Sequence, residues 1–504
     1  MSGSSSTARE ADERRRERVV LTVAVVATAM GFIDANVVAV AVPQMRASLG
    51  ASFAQIQWVT NAYLLLLTAF MLLAGGMGDR FGTARVFAAG VALFTGASVL
   101  CAVAPDAASL IAFRALQGLG AAFMVPGSMV LIARHTARER RGRAMGIWVG
   151  ASAVTTSLGP AVGSLFLTAG PDLGWRLVFA VNLPLGLLVL WLLVRRVPAD
   201  GARARAGALD WTGAILVTAA LGLLAMGLTF LGEARGEGNS IAPLLLLLAG
   251  IGVGGVAVWW ELRARHPMID LRLFAIPSFS AANAMTVLVW AGLQVLIFFL
   301  PMVLIVAWGR TPQEASLVFV AFGATIAVTS PLAGRLADRF GARSLLVTGS
   351  LVAAAGYLAI GVGVGMERFW SALMPAMVLA GLGVGLCASP LSAAVMSVAP
   401  DDKGGTASGI NNMASRMAGL FAIAGLGAFL SHVHDRVVDA SSAPEVVREG
   451  LAAAGYGERL TGGLYTVAAV ELQRVAMGHA FVALAVACAV LALAGVACAT
   501  RVRA

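Results

Sequence analysis

Gly75-Gly76-Met77-Gly78-Asp79-Arg80-Phe81-Gly82-Thr83-Ala84-Arg85 ends one apolar run and begins the next, and Gly334-Arg335-Leu336-Ala337-Asp338-Arg339-Phe340-Gly341-Ala342-Arg343 does the same far downstream. Both stretches carry Asp-Arg-Phe-Gly, and both follow the second apolar run of a group of six. The chain therefore reads as an internal duplication. Parallel halves of this kind argue for a transporter whose site lies at the bilayer midplane between them.

Composition agrees. The 504 residues are 59% hydrophobic and 12% charged, with mean hydropathy +0.86, against roughly 25% charged residues in soluble domains. Runs of about 20 apolar residues place spans near 19–43, 54–76, 84–104, 108–132, 143–168 and 173–194. Two more lie near 210–231 and 242–260, and a second six near 279–305, 314–334, 344–365, 370–398, 405–430 and 476–499. The expected fold is all-α and integral to the membrane, with fourteen transmembrane helices. It divides into a disordered cytoplasmic tail (1–18), an N-terminal six-helix bundle (19–194), a linker with two extra helices (195–278) and a C-terminal six-helix bundle (279–500) that includes an outer loop, 432–474. The first run follows Arg14, Arg15, Arg16 and Arg18 but is longer than a signal-peptide core and has no cleavage signal after it, so it is expected to be retained.

The formal charge of +10 does not point to nucleic acid, because the arginines cluster in short loops between apolar runs. One side collects Arg80, Arg85, Arg134, Arg138, Arg140, Arg141, Arg143, Arg195, Arg196, Arg203 and Arg205 with the N-terminal arginines from Arg9 onward, then Arg263, Arg265, Arg272, Arg335, Arg339, Arg343, Lys403, Arg501 and Arg503. From the first half the other side receives Arg46 and Arg176. Both termini are thus expected in the cytoplasm. Cys101, Cys387, Cys488 and Cys498 show no metal-ligand spacing and read as small apolar residues. His432 and His434 are an isolated pair, so no metal is expected.

Two charges stand inside apolar runs. Asp34, in Gly31-Phe32-Ile33-Asp34-Ala35-Asn36-Val37-Val38, is the one acidic residue placed deep within a span. Arg114 is its counterpart in the fourth. A charge at the centre of a membrane helix costs from about 3 to more than 10 kcal/mol, so a functional role is the default reading. An arginine near a buried carboxylate favours its ionised form while burial favours the protonated one, a balance suited to a proton carrier. Arg114 could equally cap backbone carbonyls, and Arg416, near Asn411 and Asn412, poses the same alternative. Polar and aromatic side chains within spans, namely Tyr63, Gln117, Trp290, Gln294, Phe298, Asn411 and Asn412 together with Asp34, are the candidate substrate-binding residues.

Two further stretches suggest moving parts. In the repeated loop, Asp79 can accept from exposed backbone donors at a helix start while Arg80 and Arg85 bind carboxylates or lipid phosphates, a breakable latch matched by Asp338 and Arg339. An ordinary cytoplasmic anchor is the plainer alternative. In the fifth span, Gly159-Pro160 bends the helix and Gly163 permits close backbone approach, a seal between helices or simple packing.

Taken in order, these stretches resemble the major facilitator superfamily. The Gly75–Arg85 loop is similar to its cytoplasmic signature, Leu110-Ile111-Ala112-Phe113-Arg114-Ala115-Leu116-Gln117-Gly118-Leu119-Gly120 to its proton-coupling motif, and Leu158-Gly159-Pro160-Ala161-Val162-Gly163-Ser164 to its antiporter motif, with Ser164 in place of the usual second glycine. Trp175 to Gly186, Asp34 to Pro43, Trp58 to Leu65 and Asn412 to Arg416 resemble the fourteen-span drug:proton antiporters, the EmrB/QacA-like group. The resemblance covers nearly the whole chain. It implies the major facilitator fold and proton coupling through Asp34 and Arg114 in the bacterial cytoplasmic (inner) membrane.

The expected function is proton-coupled antiport that exports amphipathic, cationic drugs by alternating access, as a monomer embedded in the lipid bilayer, with no cofactor beyond the proton gradient. The alternative is a dedicated exporter of one antibiotic or lipid-like metabolite, followed by a channel or membrane scaffold. An enzyme is not expected. There is no Walker A lysine, HExxH or GxSxG, and the Gly250–Gly255 match to GxGxxG lies inside an apolar span with no strand before it.

Overall fold

The computed structural model describes residues 3–197, 209–233, 241–265, 267–397, 404–458 and 466–502. Arg203, Arg205, Lys403, Arg459 and Arg503 lie outside the described residues, as do the side chains of Arg9, Asp79, Arg138, Arg141, Arg143 and Asp338. Helices α1 (Gly3–Leu49), α2 (Phe53–Phe81), α3 (Thr83–Ala102), α4 (Ala107–His135) and α5 (Arg138–Phe166) are followed by α6 (Pro171–Ala180) and α7 (Asn182–Arg196). The last two form one span broken at Val181, where Pro184 has no N–H to offer the Ala180 carbonyl. The extra pair is α8 (Trp211–Glu233) and α9 (Ala242–Arg263). The second half comprises α10 (Pro277–Met302), α11 (Pro312–Phe340), α12 (Ala342–Gly365), α13 (Met374–Ser397), α14 (Gly404–Asp439), the short α15 (Glu445–Ala454) and α16 (Val467–Ala499).

Among the described residues, thirteen spans are long and apolar enough to cross a membrane. Helix α5 lies where the remaining expected span was placed, packed between α1 and α11. The duplication is visible in the backbone. Gly82 (φ 93°) and Gly341 (φ 82°) turn the chain at the ends of α2 and α11, each in a positive-φ conformation that a Cβ disfavours, and each donates its N–H back to the preceding helix, to Gly78 O at 3.1 Å and Ala337 O at 2.9 Å. Capping boxes, Ser52 with Gln55 and Thr311 with Glu314, start the same two helices.

The halves meet through α2 against α14 and α5 against α11, with α1 touching α10. Helix α8 packs on α14 and α2, while α9 touches the bundle through α8. Only 17% of the apolar window of α9 is buried, against 78% for α2, so Leu244, Leu248, Ile251 and Trp259 face the space a bilayer fills. Gly250 fits there against Leu224 of α8, as helix packing requires.

Two expectations differ from the structure. Helix α1 begins at Gly3, so the segment 1–18 is helical from there rather than a tail; no proline interrupts it before Pro43, and the Glu17 carboxylate accepts from Arg140 Nε and Nη2 at 2.8 Å each and from the Ala137 N–H at 3.0 Å. The stretch 432–474 is not one loop. Its start is the end of α14, its middle is α15, and its end is the first turns of α16, which places His432 and His434 on a helix.

Candidate functional site

Asp34 sits midway along α1, 1% exposed, with its ring of partners drawn from three other helices. Arg114 of α4 donates from Nη1 to Asp34 Oδ2 at 2.5 Å, both side chains fully enclosed. Gln117 Nε2 donates to Oδ1 at 2.8 Å and Asn182 Nδ2 of α7 at 3.4 Å. Ser98 of α3 accepts from Gln117 at 2.7 Å and from Asn182 at 3.3 Å. The close approach that makes this possible is between α2 and α4: a Cβ on Gly118 would fall 2.2 Å from Tyr63 O. That approach also lets Arg114 Nε reach Val59 O at 3.0 Å.

Both roles expected for Arg114 are therefore filled, the ion pair and the backbone cap. Its guanidinium lies 4.3 Å from the Tyr63 ring centroid and 5.7 Å from that of Phe179, while Nη2 is buried without a partner. Removing one member of such a buried pair costs about 3–5 kcal/mol, because the other is left as an uncompensated charge. Neutralising Asp34 by a proton imposes the same problem on Arg114.

Tyr63 separates this cluster from a central cavity of about 260 Å³ lined by both halves. Of the expected binding residues, Tyr63, Trp290, Gln294, Phe298, Asn411 and Asn412 line it. Asp34 and Gln117 do not; they lie behind Tyr63, bonded to each other. Asn411 accepts from Thr286 at 2.6 Å, holding α14 to α10. Phe32, Asn36 and Thr60 add to the wall, and so does Arg416, stacked over Phe32 at 5.6 Å.

The antiporter-motif residues flank the same level of α1. Gly159 packs on Ile33 and Asn36, and a Cβ on Gly163 would fall 1.5 Å from Val37 Cγ2. Ser164, the departure from the motif, bridges the halves: its carbonyl accepts from Gln313 Nε2 of α11 at 2.8 Å, and its hydroxyl is 3.5 Å from that of Ser316. Arg80, Arg85 and Arg339 are exposed at the opposite end of the bundle, beside the turns at Gly82 and Gly341.

Sequence reasoning missed several groups. Asn182 and Ser98, partners in the Asp34 cluster, are single polar residues in apolar helices, and only the Trp175–Gly186 resemblance drew notice to the first. Arg46, read as a loop charge, is 5% exposed and clamps the α15 region, donating to Tyr456 O and Ala454 O at 2.6 Å each, to Glu458 at 2.8 Å and to Ala51 O at 3.2 Å. His434 is buried beneath it, stacked edge-on to Tyr456 and 3.1 Å from Asp435. Glu261, near the end of α9, is 5% exposed and accepts from the Ile269 N–H at 3.1 Å, with Asp210 beside Gly213 facing it. Among the described residues no group of three His, Cys, Asp or Glu could hold a metal.

A family model of the Major Facilitator Superfamily matches residues 24–289 and 282–438. "Multidrug resistance protein Stp" of Mycobacterium tuberculosis (strain CDC 1551 / Oshkosh) is 33% identical over 413 residues, 81% of this chain and 75% of that one. "Tetracenomycin C resistance and export protein" of Streptomyces glaucescens is 31% identical over 424 residues, 83% of this chain and 77% of the other. In fold, a bacterial homologue of the human lysosomal transporter Spinster superposes with a TM-score of 0.67 at 17% identity, covering 97% of this chain and 98% of its own. With the repeated loop, the paired six-helix halves and the cavity between them, these likenesses show that the chain belongs to the major facilitator superfamily, among its drug-efflux members, and is a multi-pass membrane transporter rather than an enzyme.

Proposed function

We propose that the protein exports drugs or antibiotics across the bacterial cytoplasmic membrane in exchange for protons, by alternating access of the central cavity, with both termini in the cytoplasm. The observation that carries this reading is the enclosed Asp34–Arg114 pair resting on Tyr63, which is also a residue of the cavity wall. A proton reaching Asp34 frees Arg114, and the shift of Tyr63 changes the cavity wall; substrate bound against Tyr63 opposes that shift. Proton and substrate are thus coupled without sharing a ligand. The protein works as a monomer in the bilayer and draws on the proton gradient without a cofactor. The cationic preference expected from the sequence assumed a carboxylate in the cavity, and Asp34 stands behind Tyr63 instead, so the reading here is of amphipathic aromatic substrates.

The test is a drug-susceptibility panel in a host lacking its own efflux pumps, with the Asp34→Asn protein as control. Resistance to several unrelated compounds, lost in the variant, supports multidrug export. A second reading, a dedicated exporter, is favoured by the name of the Streptomyces glaucescens relative, which specifies one compound. Resistance to a single chemical class would select it, and no resistance to any compound would remove the export reading.

A further inference from the structure

Among the described residues, the one charge on the wall of the central cavity is positive. Among its described lining residues Arg416 alone is ionisable to a cation and none is a carboxylate. An adjoining lobe of about 280 Å³, which shares Asn36, Thr156, Leu293 and Ile297, adds no charge of either sign. Arg416 faces no acidic group and donates no hydrogen bond to a described protein group; its Nε is buried without an acceptor. Arg114, 4.3 Å from the Tyr63 ring centroid, has Asp34 as its counter-ion, so Asp34 is already neutralised by another guanidinium.

A guanidinium enclosed by apolar and amide groups, with donors unspent, is stabilised by whatever anion it meets, because burying a charge without a partner is costly. Its planar fork matches a carboxylate or another delocalised oxyanion through two parallel hydrogen bonds, a geometry that an ammonium donor does not reproduce. Around it, Phe32, Tyr63, Trp290 and Phe298 present aromatic faces, and the volume suits a body of about two or three fused rings. A cationic substrate would instead meet a like charge with no carboxylate in reach. Asn36 and Gln294 can orient neutral polar groups but do not offset that repulsion.

Resting on the export reading above, we propose that this site selects aromatic organic anions, compounds carrying a carboxylate or phenolate-type oxyanion, and that Arg416 is the residue that recognises the anionic group.

The test uses the purified full-length protein in lipid nanodiscs and three probes that share one ring system: anthracene-9-carboxylate, its methyl ester, and 9-(aminomethyl)anthracene, with binding read at pH 7 by energy transfer from tryptophan. The carboxylate should bind about tenfold or more tighter than either partner, the range a charge-assisted pair supplies. Arg416→Gln should remove that preference while ester binding stays within about twofold, and Arg416→Lys should restore part of it. If Arg416→Gln does not fold, the order of the three probes on the unaltered protein decides. Tightest binding of the ammonium probe, or a carboxylate preference that survives Arg416→Gln, overturns the proposal. Binding and vesicle export of the ester or ammonium probe without the carboxylate leaves the export reading standing and removes the anion assignment; no binding of any probe likewise removes the anion assignment, and the export reading then stands or falls on the susceptibility panel.

Discussion

Asp34→Asn probes the ion pair with the smallest change of shape. One oxygen remains to accept, but the amide N–H₂ now faces one of the two donors, either Arg114 Nη1, 2.5 Å from Oδ2, or Gln117 Nε2, 2.8 Å from Oδ1. Arg114 keeps Val59 O at 3.0 Å, Gln117 Oε1 at 2.6 Å and the face of Tyr63, and loses its only countercharge. Breaking a buried pair from one side costs about 3–5 kcal/mol. Removing both charges as Asp34→Asn/Arg114→Gln should return about 1–3 kcal/mol of that, the usual coupling between residues in contact. In proteoliposomes with an imposed pH gradient, Asp34→Asn should abolish proton-driven accumulation of a substrate while drug-for-drug exchange at equal pH persists, since the cavity wall keeps its residues. Thermal unfolding of the three variants should show the double variant more stable than the sum of the singles. Unchanged accumulation by Asp34→Asn at matched reconstitution, or strictly additive stability losses, would refute the coupling argument.

Other expectations concern the packing around that pair. Gly163→Ala places a methyl 1.5 Å from Val37 Cγ2, an overlap that α1 and α5 relieve only by separating. It should lower stability by about 1–3 kcal/mol and impair export, and Val37→Ala in the same chain should recover both; a thermal melt in which the second substitution restores nothing argues against the contact. Arg46→Ala removes the clamp on Tyr456, Ala454 and Glu458. Labelling of a Thr60→Cys reporter in the cavity by a membrane-impermeant maleimide, added from the side of Arg46, should then speed up severalfold. An unaltered labelling rate shows that the clamp does not close this end.

The fold was legible because its determinants are long and repeated. Apolar runs marked the spans, and Asp-Arg-Phe-Gly occurring twice tied the halves together before any contact was known. The site was legible only in part. Asp34 and Arg114 stood out through their cost in an apolar run, and their pairing follows from the Gly118 contact that draws α4 onto α2. What lay on which side of Tyr63 was not readable. The same residue types, an asparagine or glutamine in an apolar helix, serve the enclosed cluster at Gln117 and Asn182 and the cavity at Gln294 and Asn411. Helical position alone does not distinguish a face turned to a partner helix from one turned to the cavity. Which charged residue stands on the cavity wall was not readable for the same reason: Asp34 was the visible acid, but its carboxylate is paired with Arg114, and Arg416 lines the cavity.

The sign of the substrate's charge fixes how the membrane potential acts on transport. Each elementary charge moved through about 100 mV is worth about 2.3 kcal/mol, roughly fiftyfold in a concentration ratio. One proton entering as one monovalent cation leaves moves no net charge; a neutral substrate makes the exchange move one charge, and a monovalent anion makes it move two. Under the proposed exchange, with Asp34 carrying one proton and Arg416 in the cavity, one turnover with an aromatic carboxylate carries two charges, about 4.6 kcal/mol per 100 mV. A potential alone should then drive export with no pH difference, to a limit about two-thousandfold at 100 mV in the absence of leak. Proteoliposomes held at equal pH, with potassium and valinomycin setting the potential, should show accumulation of anthracene-9-carboxylate that rises with voltage, and the Arg416→Gln protein should not show it. Accumulation of that probe indifferent to the imposed potential would mean that a second charge compensates during the cycle, and the two-site arrangement of Asp34 and Arg416 would not be how this protein couples its gradient to its cargo.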